Sequence, residues 1–325
     1  MPLHRKTLLT VLIVICGTCG ASSARATDKK PPAVKSGFVT TSDGVKIHYV
    51  ESGKAVVGAG AEVGNPLPNG TKPTKGNIAV FAAKQSPSIL FVPGWTMPEW
   101  IWQKQIDYFS RDYRVVAMDP RSQGESSPTS EGLYPTIRAR DIKVLVDQLH
   151  LAPVVIVAWS MAVVETLAYV DQYGTKDLAG VVLVDSSASF LPDGGVENAL
   201  GLMKGILEDR QNATNGFVRN LCFKKPQPDE YIQKVIQASL RVPASDAVAL
   251  LLGYFTADYR PTLPKLDKPT LICAAKTPYN GSIVAMQGKI PGAQLEIFDG
   301  DGHALFVDDP DKFNAVLEDF LHDLK

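Results

Sequence analysis

Short apolar runs recur along this chain and alternate with segments whose apolar residues follow the period of a helix. Each run is four or five residues long, which is the length of a buried strand rather than of a helix. The runs lie at residues 88–92, 115–118, 154–157, 180–184, 270–273 and 294–298. Because strands alternate with helices, the pattern predicts a mostly parallel sheet that is covered by helices on both faces.

The segment before the first of these runs has a different pattern. Residues 38–41 and 45–50 predict a β-hairpin, because Gly44 in the turn between them can adopt a positive φ. Residues 53–86 are rich in Gly, Ala, Asn, Pro and Lys and far exceed the usual connection of about 4–6 residues. We expect an insertion there, either an irregular surface loop or an additional hairpin around residues 78–83.

The alternation of strands and helices stops again between residues 185 and 269. Three helices in succession are predicted there, at residues 196–212, 228–240 and 244–254. We expect this helical segment, residues 189–263, to form a cap over a core made of residues 37–188 and 264–325.

The first 26 residues are typical of a secretory signal peptide. Arg5 and Lys6 form a basic start, residues 8–16 form an apolar run too short to span a bilayer comfortably, and Ala24-Arg25-Ala26 is a small-x-small cleavage site. We expect cleavage after Ala26, a flexible tether over residues 27–36, and a periplasmic or secreted protein without a stable membrane span. The alternative is that the segment is retained as a membrane anchor.

Composition narrows the possible functions. The chain has 325 residues, of which 45% are hydrophobic and 21% charged, as expected for a soluble globular protein with one large core. The net charge is −1, and −4 after removal of the signal peptide, so nothing favours binding to nucleic acid. No group of His, Asp, Glu or Cys has metal-ligand spacing, and we expect no cofactor. Cys222 and Cys273 remain after cleavage, either paired or as two buried thiols.

One serine lies where a strand turns into a helix, between two small residues, in the sequence Ala158-Trp159-Ser160-Met161-Ala162. Such a turn strains the backbone, requires small neighbours and exposes the hydroxyl, which is the arrangement of a nucleophile elbow. The usual motif has glycine where this chain has Ala158 and Ala162. Ser160 is therefore the candidate nucleophile.

A serine nucleophile needs a histidine base within hydrogen-bond reach. Four of the five histidines lie where a catalytic base is not expected: His4, His48, His150 and His322. His303 lies in the turn 299–306, after the last predicted strand and before a closing helix at residues 310–324. We therefore interpret His303 as the base.

In this order, the segments resemble the α/β-hydrolase superfamily from Gly37 to the C-terminus, apart from the insertion. Phe91-Val92-Pro93-Gly94-Trp95 is similar to the oxyanion segment of that family, with proline where histidine is usual, and residues 119–126 are similar to its turn after the fourth strand. The resemblance implies an α/β fold with a mostly parallel, doubly wound sheet and a helical cap between strands 6 and 7. It also implies that the backbone N–H groups of Trp95 and Met161 form the oxyanion hole.

The acid of the triad is missing from its usual place in this family. That place follows the seventh strand, at Thr277 or Pro278, yet no Asp or Glu occurs from residue 268 to residue 295. Some members carry the acid at the end of the sixth strand instead, where this chain has Asp185. Asp185 is our candidate; the alternatives are that it only caps a turn, that Asp301 serves, or that no acid does.

The resemblance, to bacterial esterases and cofactor-free haloperoxidases in particular, implies an exported serine hydrolase that cleaves a small or medium carboxylic ester through an acyl-enzyme. One alternative is that the same triad performs perhydrolysis, C–C bond hydrolysis or amide hydrolysis. Another is a non-catalytic, ligand-binding protein on a hydrolase scaffold. Bulky residues that we expect in the substrate pocket are Phe217, Tyr254 and Phe255.

Overall fold

The computed structural model describes residues 30–54, 86–191, 194–277 and 281–324. The chain divides into two units, Met1–Lys30 and Pro31–Lys325, and the strands and helices described lie in the second. The predicted signal peptide and residues 55–85 of the predicted insertion lie outside the described residues.

Eight strands form one sheet in the order β1-β2-β4-β3-β5-β6-β7-β8. The strands are β1 (Lys35–Thr40), β2 (Lys46–Ser52), β3 (Ser88–Val92), β4 (Val115–Met118), β5 (Val154–Trp159), β6 (Leu178–Val184), β7 (Thr270–Ala275) and β8 (Gln294–Phe298). Strands β1 and β2 form the predicted antiparallel hairpin, and β3 to β8 run parallel to one another. Each of the six apolar runs is a strand of this sheet, so the predicted fold class is confirmed.

Helices connect the strands and cover the sheet. They are α1 (Gln103–Phe109), α2 (Pro135–Gln148), α3 (Met161–Tyr173), α4 (Gly195–Glu208), α5 (Arg210–Gly216), α6 (Asp229–Leu240), α7 (Ala244–Phe255), α8 (Gly281–Gln287), α9 (Leu305–Asp308) and α10 (Pro310–Asp323), with 3-10 turns at Glu99–Trp102 and Arg260–Lys265 and a π-helix at Phe217–Cys222. The residues of β3, β4 and β5 are all buried, as expected for parallel strands with helices on both faces. Two apolar clusters fill the two faces of the sheet.

The helical segment between β6 and β7 has one more break than the sequence pattern indicates. The single helix predicted over residues 196–212 is two helices, α4 and α5, because Asp209 leaves the helical conformation at φ −150°. Its side chain accepts a hydrogen bond from the Asn212 N–H and so caps α5. Helices α4 and α7 share a third apolar cluster with Trp95 and Met161 of the core.

Cys222 and Cys273 are both buried and are not joined in a disulfide. Of the two explanations that the sequence left open, the structure therefore favours two buried thiols. Within the described part of the chain, no single helix is long and apolar enough to cross a membrane; α6 and α7, which meet at 88°, reach that threshold only when taken together.

Candidate active site

Ser160 occupies a strained turn between β5 and α3. Its φ of 59° and ψ of −123° are unusual for a residue with a side chain, and such a conformation costs on the order of 1–3 kcal/mol. The Ser160 N–H donates to the Val184 carbonyl of β6, and α3 begins at the next residue, Met161. Ala162 lies inside α3 and is fully buried, so the helix accommodates its methyl group. This geometry is that of a nucleophile elbow.

The structure brings Ser160, His303 and Asp185 together in one hydrogen-bonded series. His303 Nε2 is 2.8 Å from Ser160 Oγ, and His303 Nδ1 is 2.7 Å from Asp185 Oδ2. The second Asp185 oxygen accepts the Ala275 N–H at 2.9 Å, which holds the carboxylate in place. The three side chains therefore have the order and spacing that a nucleophile, a base and an orienting acid require.

The other acid considered from the sequence is occupied elsewhere. Asp301 Oδ1 is 2.8 Å from the Lys225 ammonium, and the Asp301 side chain is buried at the edge of the pocket. Thr277, at the usual position of the family's acid, also lines the pocket, whereas Pro278 lies outside the described residues.

The helical segment holds the loop that carries His303. The His303 N–H donates to the Leu221 carbonyl at 3.0 Å, and the Ala304 N–H donates to the Cys222 carbonyl at 2.8 Å. The buried Asp308 carboxylate collects four more donors from both sides of this junction: the Gly302, Lys224 and Lys225 N–H groups and the Gln227 amide. The loop and the end of the π-helix therefore form one hydrogen-bonded unit.

The two expected oxyanion donors flank Ser160. Met161 is the first residue of α3, so its N–H has no acceptor within the helix. On the other side, a Cβ atom on Gly94 would lie 2.8 Å from Ser160 Cβ, so only glycine lets the Gly94-Trp95 backbone approach Ser160 this closely. The Trp95 indole N–H donates to the Ala247 carbonyl of α7 at 2.9 Å.

A cavity of about 530 Å³ opens beside Ser160. Its lining is mostly apolar and aromatic, and it includes Phe217, Tyr254 and Phe255, as predicted. The Tyr254 hydroxyl lies 2.6 Å from the Ser186 hydroxyl, and burial raises the pKa of Tyr254, so this group stays protonated at neutral pH. Sequence reasoning missed Ser186, although its position directly after Asp185 placed it at the same edge of the sheet.

A second buried polar group lies behind the oxyanion segment and joins residues that are far apart in sequence. His48, Glu99 and Asp119 each offer one atom that could bind a metal ion, and these three atoms lie within 4.8 Å of one another. The Asp119 carboxylate already accepts from His48 Nδ1 at 2.8 Å and from the Glu99 and Glu125 N–H groups at 2.7 and 2.9 Å, so these residues do not leave it free to bind a cation. Burial and the charge of Asp119 raise the pKa of Glu99 to about 7.

Comparison with known proteins identifies a matching family model and several similar proteins. A model described as "Alpha/beta hydrolase family" matches residues 89–316. The chain is 29% identical over 249 residues to a putative non-heme chloroperoxidase of Synechocystis sp., which covers 72% of this chain and 90% of that protein. It is 28% identical to non-heme chloroperoxidase CPO-A1 of Kitasatospora aureofaciens over 77% of this chain and 98% of that protein.

The solved structure of an esterase from Exiguobacterium antarcticum superimposes with a TM-score of 0.74 at 22% identity. The match covers 88% of this chain and 98% of that one. At this identity the likeness shows the fold alone.

The raised pKa of Glu99 predicts a loss of stability as the pH rises. The ordinary value is 4.5, so between pH 4.5 and 7 the folded protein binds this proton more tightly than the unfolded chain. The stabilisation is complete below pH 4.5 and is lost as the pH passes 7. Glu99→Gln removes the titration, and we expect the free energy of unfolding of wild type to fall by about 1–3 kcal/mol more than that of the variant between pH 5 and 8. Urea unfolding at both pH values measures this. An equal fall in the free energy of unfolding for wild type and variant would contradict the prediction.

Proposed function

Because this chain belongs to the α/β hydrolase family, we propose that it is a serine hydrolase that cleaves a small or medium carboxylic ester through an acyl-enzyme. The observation that carries the proposal is the hydrogen-bonded series from Asp185 through His303 to Ser160, at 2.7 and 2.8 Å. The cavity beside Ser160 supplies room for an acyl group of medium size.

The geometry supports the following chemistry. His303 Nε2 takes the proton of Ser160 as Oγ attacks the carbonyl carbon of the ester. That carbon becomes tetrahedral, and the carbonyl oxygen becomes an oxyanion. The Trp95 and Met161 N–H groups donate to that oxyanion. Asp185 keeps Nδ1 of His303 protonated and stabilises the imidazolium. His303 then protonates the departing alcohol. In the second half of the reaction His303 takes a proton from a water molecule as the water oxygen attacks the acyl carbon, and it returns that proton to Ser160 Oγ as the bond from Oγ to the acyl carbon breaks and the acid leaves.

The character of the cavity supports an uncharged acyl chain as the substrate class. Aromatic and aliphatic side chains from the helical segment form most of the lining, among them Phe190, Leu202, Phe217, Leu251 and Phe255. A charged chain would lose its hydration against these side chains without gaining a paired partner from them. In this proposal the helical segment is the cap that gives the enzyme its substrate preference.

A second candidate function is perhydrolysis, which the names of the two chloroperoxidase relatives favour. Hydrogen peroxide would replace water as the nucleophile that attacks the acyl-enzyme, and the product would be a peracid and free Ser160. Incubation with acetate and hydrogen peroxide separates the two candidates. Peracid formation faster than ester hydrolysis would favour the second, and slower formation is expected for an esterase.

We also propose that the protein is exported, with residues 1–26 as the signal peptide. When the full chain is expressed in a bacterial host, the mass of the purified protein is expected to correspond to a start at Thr27. A full-length, cytoplasmic product would contradict export.

The role of Asp185 can be separated from a general effect of removing a carboxylate near the site. We expect Asp185→Asn to lower kcat for 4-nitrophenyl butyrate by about 1,000- to 10,000-fold, because the imidazole loses its tautomer and its counter-charge. Asp301→Asn is the matched control, since Asp301 lines the same pocket but pairs with Lys225, and we expect a loss below about tenfold. Comparable losses in the two variants would remove Asp185 from the mechanism. A folded wild type without turnover of any ester would favour the ligand-binding alternative.

A further inference from the structure

A buried glutamine contacts the loop that carries one of the oxyanion donors. Gln123 follows β4 in the chain and is 1% exposed. Its side-chain Nε2 donates to the Gly94 carbonyl at 2.9 Å and to the Met97 carbonyl at 2.8 Å. These carbonyls stand at the two ends of the turn Gly94-Trp95-Thr96-Met97, which the Met97 N–H closes by donating to Gly94 O.

The other end of the Gln123 amide is also fixed. Its Oε1 accepts from Arg138 Nη2 at 3.0 Å, and the Arg138 guanidinium in turn pairs with Glu165 of helix α3. Both charged side chains are almost fully buried. The orientation of the amide is therefore determined, because only its NH2 group can donate to two carbonyls and only its oxygen can face a guanidinium.

The bond from Gln123 to Gly94 acts on the peptide group that contains the Trp95 N–H. The Gly94 carbonyl and the Trp95 N–H belong to one planar, trans peptide and point in opposite directions. A donor that holds the carbonyl therefore also sets the direction in which the N–H points. Ser160 lies against this same glycine, with its Cβ 2.8 Å from the position that a Gly94 Cβ would take.

The turn needs such support because its backbone is strained. Thr96 has a φ of 58°, which a threonine adopts only when its surroundings impose it. The Thr96 hydroxyl bonds to the Trp95 carbonyl and to Ser239 of α6, but neither of these contacts holds the Gly94 carbonyl. Gln123 is the side chain that the described structure places on both ends of the turn.

We propose that Gln123 is a positioning residue for the oxyanion hole, through which the buried Arg138–Glu165 pair orients and polarises the Trp95 N–H. The path runs from the guanidinium to Gln123 Oε1, from Nε2 to the Gly94 carbonyl, and through that peptide to the Trp95 N–H. Hydrogen bonds in such a chain strengthen one another, by about 10–30% each. The inference rests on the proposed function, since it assigns the N–H of Trp95 to the oxyanion.

The kinetic test uses two buried glutamines of the same chain. Gln123→Met keeps the size of the side chain and removes its donors, and we expect kcat to fall by about 10- to 100-fold while KM stays within about threefold, because an oxyanion interaction is made mainly in the transition state. Gln105→Met is the matched control. Gln105 is fully buried and also donates to a carbonyl, that of Phe306, but it does not contact the Gly94–Met97 turn. Equal kcat values in the two variants, with an active wild type, would overturn the proposal.

A second variant keeps the acceptor that faces Arg138. Gln123→Glu keeps the length of the side chain and its bond from Arg138 but has no N–H donors when ionised, so it is expected to lose kcat as Gln123→Met does. An ionised Gln123→Glu enzyme with wild-type kcat would overturn the proposal.

A third test uses the wild-type protein and so does not depend on the folding of a variant. Phenylboronic acid forms a tetrahedral adduct with an activated serine, and we expect its binding to move the side-chain NH2 resonances of Gln123. An adduct that forms without moving them would overturn the inference while leaving the proposed function intact. If wild type neither turns over esters nor forms the adduct, the proposed function fails instead. The Trp95 amide-proton resonance then tests the positioning role. We expect this resonance to shift in Gln123→Met and not in Gln105→Met, and any other result would overturn the proposal.

Discussion

The backbone of Ser160 is the constraint on which the site depends. A serine with a φ of 59° persists only because its surroundings determine it, and the main determinant is the neighbouring strand. Trp159 pairs with Val184 in the parallel register of β5 and β6, and the Ser160 N–H then bonds to the Val184 carbonyl. Asp185 directly follows the last residue of β6. One register therefore places the candidate nucleophile and the candidate acid at the same edge of the sheet, where His303 can reach both.

The helical segment is part of the site rather than a cover laid over it. Its α7 accepts the hydrogen bond of the Trp95 indole, and its α6 contacts the Thr96 hydroxyl through Ser239. The end of its π-helix bonds to the backbone of the His303 loop. The helical segment thus holds both loops that flank Ser160, so that changes in this segment affect the geometry of the candidate site as well as the shape of the cavity.

The sequence predicted the fold well because each apolar run is local and nearly continuous, and because the order of strands and helices restricts the possible sheets. Ser160 and His303 stood out by the turns they occupy. Asp185 depended on a comparison with other members of the family, since an acid at a strand end is common. The contacts of Gln123 with Gly94 and of His48 with Asp119 had no local signal, because each joins residues that only the folded sheet brings together. The break at Asp209 was missed because the apolar spacing continues across it, while the cap that begins α5 depends on one side chain.

Every step of the proposed reaction requires Ser160 to be an activated nucleophile. The most direct test is labelling of residues 27–325 with a fluorophosphonate, followed by mass mapping of the modified peptide, since this probe reports an activated serine for any substrate. We expect a label on Ser160 that is lost when His303 is replaced by alanine. A folded protein that takes no label, or one that is labelled equally without His303, would contradict it.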